Sequence, residues 1–149
     1  MRHSPALRDF VSAWEGCKLK PYEDVIGVWT VGYGHVLLPD EQRCTWTQAR
    51  ADEQLDMDLA DHGERLSPFI IKVSTQQQFD ALLSLAFNCG ISGIGNSGLM
   101  TCHNNGDFMA CANRFRLWKR AGGHDVPGLL KRREAERTIY LYGIYTGRP

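Results

Sequence analysis

The chain has 149 residues, of which 43% are hydrophobic and 23% are charged, and its formal net charge at pH 7 is zero. This composition is typical of one globular domain. The zero net charge does not favour nucleic-acid binding, and no apolar run approaches the roughly 18 residues that a membrane span needs. The charge is nevertheless distributed unevenly. Residues 40–65 carry eight acidic and three basic side chains, whereas residues 113–149 carry nine basic and three acidic ones. Such blocks are usually solvated faces, but the basic one could also contact an anionic polymer.

The first predicted element is an amphipathic helix that begins at Pro5. Ser4 suits the N-cap and Pro5 suits the first helical turn. Apolar side chains then recur at helical spacing at Leu7, Phe10, Val11 and Trp14. Gly16 suits the position just after a helix, so the pattern predicts Glu15 in the last turn.

A small antiparallel sheet is predicted next, followed by a long helix. Glycines interrupt alternating apolar residues between Lys18 and Val36, which is typical of tight turns between short strands. Thr45 and Gln48 form a capping-box pattern that predicts a helix over Trp46–Leu66. Its apolar stripe is narrow, so the helix is expected to be largely exposed and to connect two lobes.

The second half of the chain is predicted to be helical. Thr75 and Gln78 form another capping box, and the most apolar helix follows it and ends at Gly90. The remaining predicted elements are a glycine-rich loop over 91–98, a helix over 107–118 and a final helix from about Pro127.

Two carboxylates lie close together in the sequence, in different predicted settings. Glu15 would end a helix, where the dipole and the apolar Phe10 and Trp14 disfavour ionisation, and Asp24 would lie in a polar turn. Glycosidic bond cleavage uses such a pair, an acid and an ionised partner. Spacing alone favours ordinary surface carboxylates, and Glu23 remains an alternative second carboxylate.

The segment from Trp14 to His35 resembles the active-site motif of the phage lysozyme (endolysin) family of the T-even and lambdoid type. That motif is a Glu, an Asp nine positions later and a Thr six positions after that. The matching residues are Glu15, Gly16, Leu19, Tyr22, Asp24, Gly27, Thr30, Gly32, Gly34 and His35. The similarity continues through Gln77–Gly90, Asn105–Asp107 and Gly128–Glu136.

The resemblance implies an α+β lysozyme-like fold in one domain over residues 1–149. A small lobe with a short antiparallel sheet would span about 17–45. A helix over about 46–66 would join it to a mostly helical large lobe, made of about 1–16 and 67–149.

The resemblance also implies residue roles in cell-wall hydrolysis. Glu15 would protonate the glycosidic oxygen, Asp24 would stabilise the developing positive charge, and Thr30 would hold the attacking water. The cleaved bond would be the β-1,4 linkage between N-acetylmuramic acid and N-acetylglucosamine in peptidoglycan, with inversion at the anomeric carbon. A lytic transglycosylase and a non-catalytic wall-binding module remain alternatives.

Further positions match the family less specifically. Val36, Phe87 and Ser97 fall where the family touches the glycan. His35 would fix the small lobe beside a carboxylate, and Arg133 falls where the family has an arginine near the catalytic Glu.

The expected biological setting follows from the same resemblance. No cofactor or metal is implied, and the five cysteines, without a CxxC pair, predict free thiols. Residues 1–9 lack the apolar core of a signal peptide. We therefore expect a monomer that stays in the host cytoplasm, without stable membrane insertion, until a phage holin releases it to the periplasm.

Overall fold

The computed structural model describes residues 1–149, which form seven α-helices and two small antiparallel sheets. The helices are α1 (Pro5–Glu15), α2 (Gln48–Leu66), α3 (Gln76–Cys89), α4 (Ile91–Gly95), α5 (Gly98–Asn104), α6 (Phe108–Arg114) and α7 (Pro127–Tyr142). The strands are β1 (Lys18–Glu23), β2 (Trp29–Gly32) and β3 (His35–Val36) in one sheet, and β4 (Arg120–Ala121) and β5 (His124–Asp125) in the other. None of the helices is both long enough and apolar enough to cross a membrane.

α3 is the central element of the helical core. Its residues from Phe79 to Ala86 are all buried, and it packs most extensively against α7. The Thr75 hydroxyl accepts from the Gln78 amide while the Gln78 side chain accepts from the Thr75 amide, which confirms the predicted capping box. The large hydrophobic cluster around α3 contains 22 buried residues, and all seven helices contribute to it.

A second, much smaller hydrophobic cluster lies against the three-stranded sheet. It consists of Val31, Trp46 and Ala51. α2 supplies Ala51 to this cluster, and its Leu55 and Leu59 belong to the large cluster, so one helix contributes to both. The division of the chain into two lobes at the predicted boundaries remains a proposal.

The predicted start of α2 at Trp46 is wrong by two residues. Thr47 is the N-cap, and its hydroxyl accepts from the Arg50 amide. The Trp46 amide instead donates to the Leu19 carbonyl at 2.8 Å, and its side chain is buried in the small cluster. Because this contact holds Trp46 against β1, the helix begins only after Thr47.

The predicted glycine-rich loop over 91–98 is also wrong, because α4 occupies most of it. Ile91 and Ile94 are buried in the large cluster, and this burial outweighs the low helix propensity of the glycines. At Gly95 a Cβ would overlap the Phe69 ring, so the close approach requires glycine. The predicted helix over 107–118 ends earlier, at Arg114, and a short 3-10 turn and the β4–β5 hairpin follow it.

The first prediction concerns the packing of the sheet on Trp46. Gly32 has φ +66°, and a Cβ there would lie 3.1 Å from the Trp46 ring, whereas Gly34 has φ +85° and open space. We expect Gly32→Ala to lower the free energy of unfolding by about 1–2 kcal/mol for the left-handed backbone and by about 1–3 kcal/mol for displacing the ring. Gly34→Ala should lower the free energy of unfolding only by the contribution of the left-handed backbone. Urea unfolding of both variants checks this, and equal losses would contradict a constraint from Trp46.

Candidate active site

Glu15 is the last residue of α1, and its side chain is 22% exposed. The α1 N-cap at Ser4 and the helix-ending glycine at Gly16 (φ 68°) are as predicted, and they set where the helix stops. Arg132 of α7 donates from Nη1 to Glu15 Oε1 at 2.6 Å. The site therefore has an acidic group that is half-buried, held by one cation and still accessible from solvent.

The arginine that contacts Glu15 is Arg132 and not Arg133, which corrects the prediction. Arg133 is fully buried and donates to Asn88 Oδ1 at 2.9 Å and to Glu136 Oε1 at 3.0 Å. Neighbouring residues on a helix point about 100° apart, so only one of the two arginines can face α1. The sequence alone does not show which of the two arginines faces α1.

Glu136 lies behind Arg132 and is fully buried. Its Oε1 accepts from Arg132 Nε at 3.2 Å and from Ser84 Oγ at 2.7 Å. Burial raises the pKa of Glu136, while Arg133, Arg132 and Ser84 act in the opposite direction. Arg132 and Glu136 were not predicted as part of the site, although charged residues on the buried face of α7 were the signal that could have identified them.

Asp24 lies in the turn between β1 and β2. Its Oδ1 accepts from the Ile26 amide at 2.9 Å and from the Val28 amide at 2.8 Å. Its Oδ2 makes no hydrogen bond to the protein. One oxygen of Asp24 therefore holds the turn, and the other is available to a ligand or water.

Thr30 is linked to Asp24 through a single carbonyl group. The Val28 carbonyl accepts from the Asp24 amide at 2.9 Å and from Thr30 Oγ1 at 3.1 Å. Thr30 is 5% exposed. Because its hydroxyl proton is committed to Val28, its free lone pairs can only accept, as they would from the hydrogen of a water molecule.

The strand register distinguishes Asp24 from Glu23. Glu23 pairs with Trp29, and Tyr22 pairs with Thr30. Directly paired residues share a face of a sheet and consecutive residues alternate, so Glu23 points to the face opposite Thr30. The register therefore favours Asp24 over Glu23 as the partner of Thr30.

The three predicted glycan contacts differ in their surroundings. Val36 is half-exposed and pairs directly with Thr30 across β2 and β3. Phe87 is partly buried on α3, and its ring centre lies 4.8 Å from that of His62. Ser97 is the N-cap of α5, and its hydroxyl donates to the Ile94 carbonyl at 2.6 Å. A substrate role stays a prediction for all three.

His35 connects the sheet to α2. Its Nδ1 lies 2.9 Å from Asp58 Oδ2 and its Nε2 lies 3.1 Å from Glu41 Oε2. Glu41 also accepts from the Leu38 amide at 2.7 Å. His35 thus joins β3, the following loop and α2. No group of three or more His, Cys, Asp or Glu side chains in the chain is arranged to bind a metal.

All five cysteines are free thiols. Cys102 and His103 are adjacent in the sequence, but they do not act as a nucleophile and its base. His103 is fully buried, and its ring nitrogens contact Tyr140 Oη at 2.6 Å and Ser74 Oγ at 2.8 Å. Burial lowers the pKa of His103, which is typical of a core histidine.

Comparison with known proteins identifies the family. Residues 12–136 match the family model described as phage lysozyme. The SAR-endolysin of Enterobacteria phage P21 is 36% identical over 129 residues, which are 87% of this chain and 78% of that protein. The endolysin of Bacillus phage B103 is 34% identical over 145 residues, which are 96% of this chain and 55% of that protein. The chain therefore belongs to the phage lysozyme family.

Solved structures agree with this assignment. The endolysin from Escherichia coli O157:H7 phage FAHEc1 superposes with a TM-score of 0.87 at 31% identity, covering 98% of this chain and 97% of that one. A mutant of P22 lysozyme superposes with a TM-score of 0.84 at 33% identity, covering 95% and 99%. The fold is thus the α+β lysozyme fold, and the protein is a glycoside hydrolase of the muramidase class.

The second prediction concerns Glu41. The Leu38 amide holds the pKa of Glu41 below its usual value, with a smaller contribution from His35. The stability this provides is fully present above the unfolded-state pKa of about 4.3 and is lost as the pH falls through the lower folded-state pKa. Glu41→Gln should therefore lower the free energy of unfolding by about 1 kcal/mol at neutral pH.

The difference between Glu41→Gln and the unmodified protein should shrink as the pH falls below about 4. Urea unfolding at a series of pH values measures it. Glu53→Gln, an exposed residue of α2 without an ion pair, is the matched control. A difference that does not change with pH would contradict the role given to the Glu41 carboxylate.

Proposed function

We propose that this enzyme hydrolyses the β-1,4 bond between N-acetylmuramic acid and N-acetylglucosamine in peptidoglycan. Glu15 is the general acid, and Asp24 and Thr30 act on the attacking water. The observation that carries the proposal is the Val28 carbonyl, which accepts from both the Asp24 amide and the Thr30 hydroxyl and so keeps these two groups together.

The setting of Glu15 suits proton donation. The negative end of the α1 dipole disfavours a second negative charge there, and the side chain is mostly removed from water. Arg132 opposes this by favouring the carboxylate. A carboxyl group that is mostly removed from water but still reached from solvent can deliver a proton to a leaving oxygen beside it.

The setting of Asp24 and Thr30 suits water activation. Asp24 keeps Oδ2 free, and a carboxylate can take a proton from water and stabilise the positive charge that develops on the sugar. Thr30 accepts from the same water because its own proton is used by Val28. Water held by a carboxylate opposite the acid gives inversion, which requires the two carboxyl groups to lie about 6.5–9.5 Å apart.

A lytic transglycosylase acting on the same bond is the second candidate. Such an enzyme needs one catalytic acid and no bound water, so it gives no reason for the Asp24 and Thr30 arrangement. A wall-binding module without activity would need neither carboxylate. We therefore favour hydrolysis, in a monomer that depends on a phage holin to pass from the host cytoplasm to the periplasmic wall.

The third prediction tests the acid. Glu15→Gln removes the proton that the leaving oxygen receives, so we expect the rate of clearing of permeabilised Gram-negative cells to fall by about 10²–10⁴-fold. Circular dichroism checks that the variant is folded. Clearing at the rate of the unmodified protein would contradict the role of Glu15, and binding to walls without clearing by either protein would indicate a binding module.

The fourth prediction tests the second carboxylate. Asp24→Asn keeps an oxygen that can accept from the Ile26 and Val28 amides, so the turn should remain while the charge is lost. We expect a loss of activity of about 10²-fold or more. Glu23→Gln, which changes the adjacent carboxylate on the opposite face, is the matched control and should retain activity. The reverse result would assign the role to Glu23.

The released fragments distinguish the reactions. Hydrolysis leaves reducing ends at muramic acid, whereas a transglycosylase leaves an anhydro-sugar, and mass spectrometry separates them by one water. Proton NMR of the first product shows which anomer forms. Anhydro products would overturn the hydrolase proposal, and initial formation of the retained anomer would overturn inversion.

A further inference from the structure

Glu136 is the most completely buried carboxylate near the site, and nothing in the proposed reaction uses it directly. It is 0% exposed, and its Oε1 accepts from Ser84 Oγ, Arg132 Nε and Arg133 Nη2. Its Oε2 lies 2.7 Å from Arg133 Nε, although not aligned for a hydrogen bond. Guanidinium groups only donate, so this surrounding favours the ionised form of Glu136.

Arg132 is shared between Glu136 and Glu15. Its Nε faces the buried Glu136 and its Nη1 faces the half-buried Glu15, while Nη2 is buried without a partner in the protein. The planar guanidinium has a fixed geometry, so anchoring Nε on one side determines where Nη1 points on the other. Removing the anchor would leave Arg132 free to reorient around Glu15.

We propose that Glu136 is a positioning residue for the reaction: it aims Arg132 at Glu15 and, by taking part of the charge of Arg132, sets the pH at which Glu15 releases its proton. This proposal rests on the proposed role of Glu15 as the general acid. The charged and polar groups that face the cluster are Arg132 and Arg133 from α7, Ser84, Asn88 and Cys89 from α3, and Glu15 from α1.

The direction of the effect follows from the charges. Two arginines and two carboxylates make the cluster of Glu15, Arg132, Glu136 and Arg133 neutral overall when all are ionised. Without the Glu136 charge, Glu15 faces an uncompensated positive charge, its carboxylate is stabilised, and it loses its proton at a lower pH. Without Arg132, Glu15 loses its cation and keeps its proton to a higher pH.

The experiment measures the titration of Glu15 directly. Carboxyl-labelled glutamate gives one carbon-13 signal for each Glu, and the spectrum of Glu15→Gln identifies the signal of Glu15. In Glu136→Gln we expect the Glu15 midpoint to fall by about one pH unit, and in Arg132→Gln we expect it to rise by a similar amount. The high-pH limb of the activity profile should move in the same directions.

Two controls separate charge from packing. Ser84→Ala removes the 2.7 Å hydrogen bond to Glu136 without changing a charge, and Glu136→Asp keeps the charge. Both should leave the Glu15 midpoint near its value in the unmodified protein. A purely structural role would instead predict shifts that follow the loss of stability, regardless of charge.

The double variant Glu136→Met and Arg133→Met keeps the test available if Glu136→Gln does not fold. It replaces a buried ion pair by apolar side chains of similar size, which proteins often tolerate. The loss of the Arg133 charge partly offsets the loss of the Glu136 charge, but only Arg132 contacts Glu15 and Glu15 is then its only carboxylate. The midpoint should therefore still fall, by less than in Glu136→Gln.

The outcomes separate the two proposals. An unchanged Glu15 midpoint in the folded charge-removing variants, or shifts of the same sign in Glu136→Gln and Arg132→Gln, would overturn the role of Glu136. If the midpoint moves as expected while the activity limb stays in place, the link between Glu136 and Glu15 is supported and the general-acid role of Glu15 is wrong.

Discussion

The buried carboxylate of Glu136 is the constraint on which the arrangement of the helices around the site depends. A charge that is fully removed from water must be compensated by other charges and hydrogen bonds, and here two arginines of α7 and Ser84 of α3 supply them. Of these bonds, the one from Ser84 crosses from α7 to α3, and the contact between these two helices is the most extensive in the chain. Through Arg132 they also reach α1, so that the end of the first helix is held by a residue 117 positions later in the chain.

The sheet side of the site depends on local backbone bonds. Asp24 and Thr30 are brought together by the Val28 carbonyl within one tight turn. The attachment of the whole sheet to the rest of the molecule is sparse by comparison. It consists of the small cluster around Trp46, of His35 between Glu41 and Asp58, and of the Tyr33 hydroxyl, which donates to Asp52 and accepts from Gln48. The site thus combines a helical side that is linked by buried charges with a sheet that is held mainly by α2.

The sequence predicted most of this local structure. The N-termini of α1 and α3 could be predicted because the side chains of Ser4 and Thr75 accept hydrogen bonds from the free amides of the first helical turn. The start of α2 could not be predicted, because Thr45 and Thr47 are both suitable N-cap residues. The burial of Trp46 is what makes Thr47 the N-cap. The helix at Ile91 was missed because its glycines are poor helix formers, and its stability comes from contacts with the core.

The sequence by itself determined the class of protein and pointed to Glu15, Asp24 and Thr30 as the proposed catalytic residues, because all three lie within one continuous segment of 16 residues. Only the tertiary structure decided which arginine faces Glu15, that Glu136 lies behind it, and that Glu23 points to the other face of the sheet from Thr30. The physical reason is that capping and turn formation depend on neighbours in the chain. The partner of a buried charge, by contrast, depends on which helix faces pack together, and this is decided by the whole core.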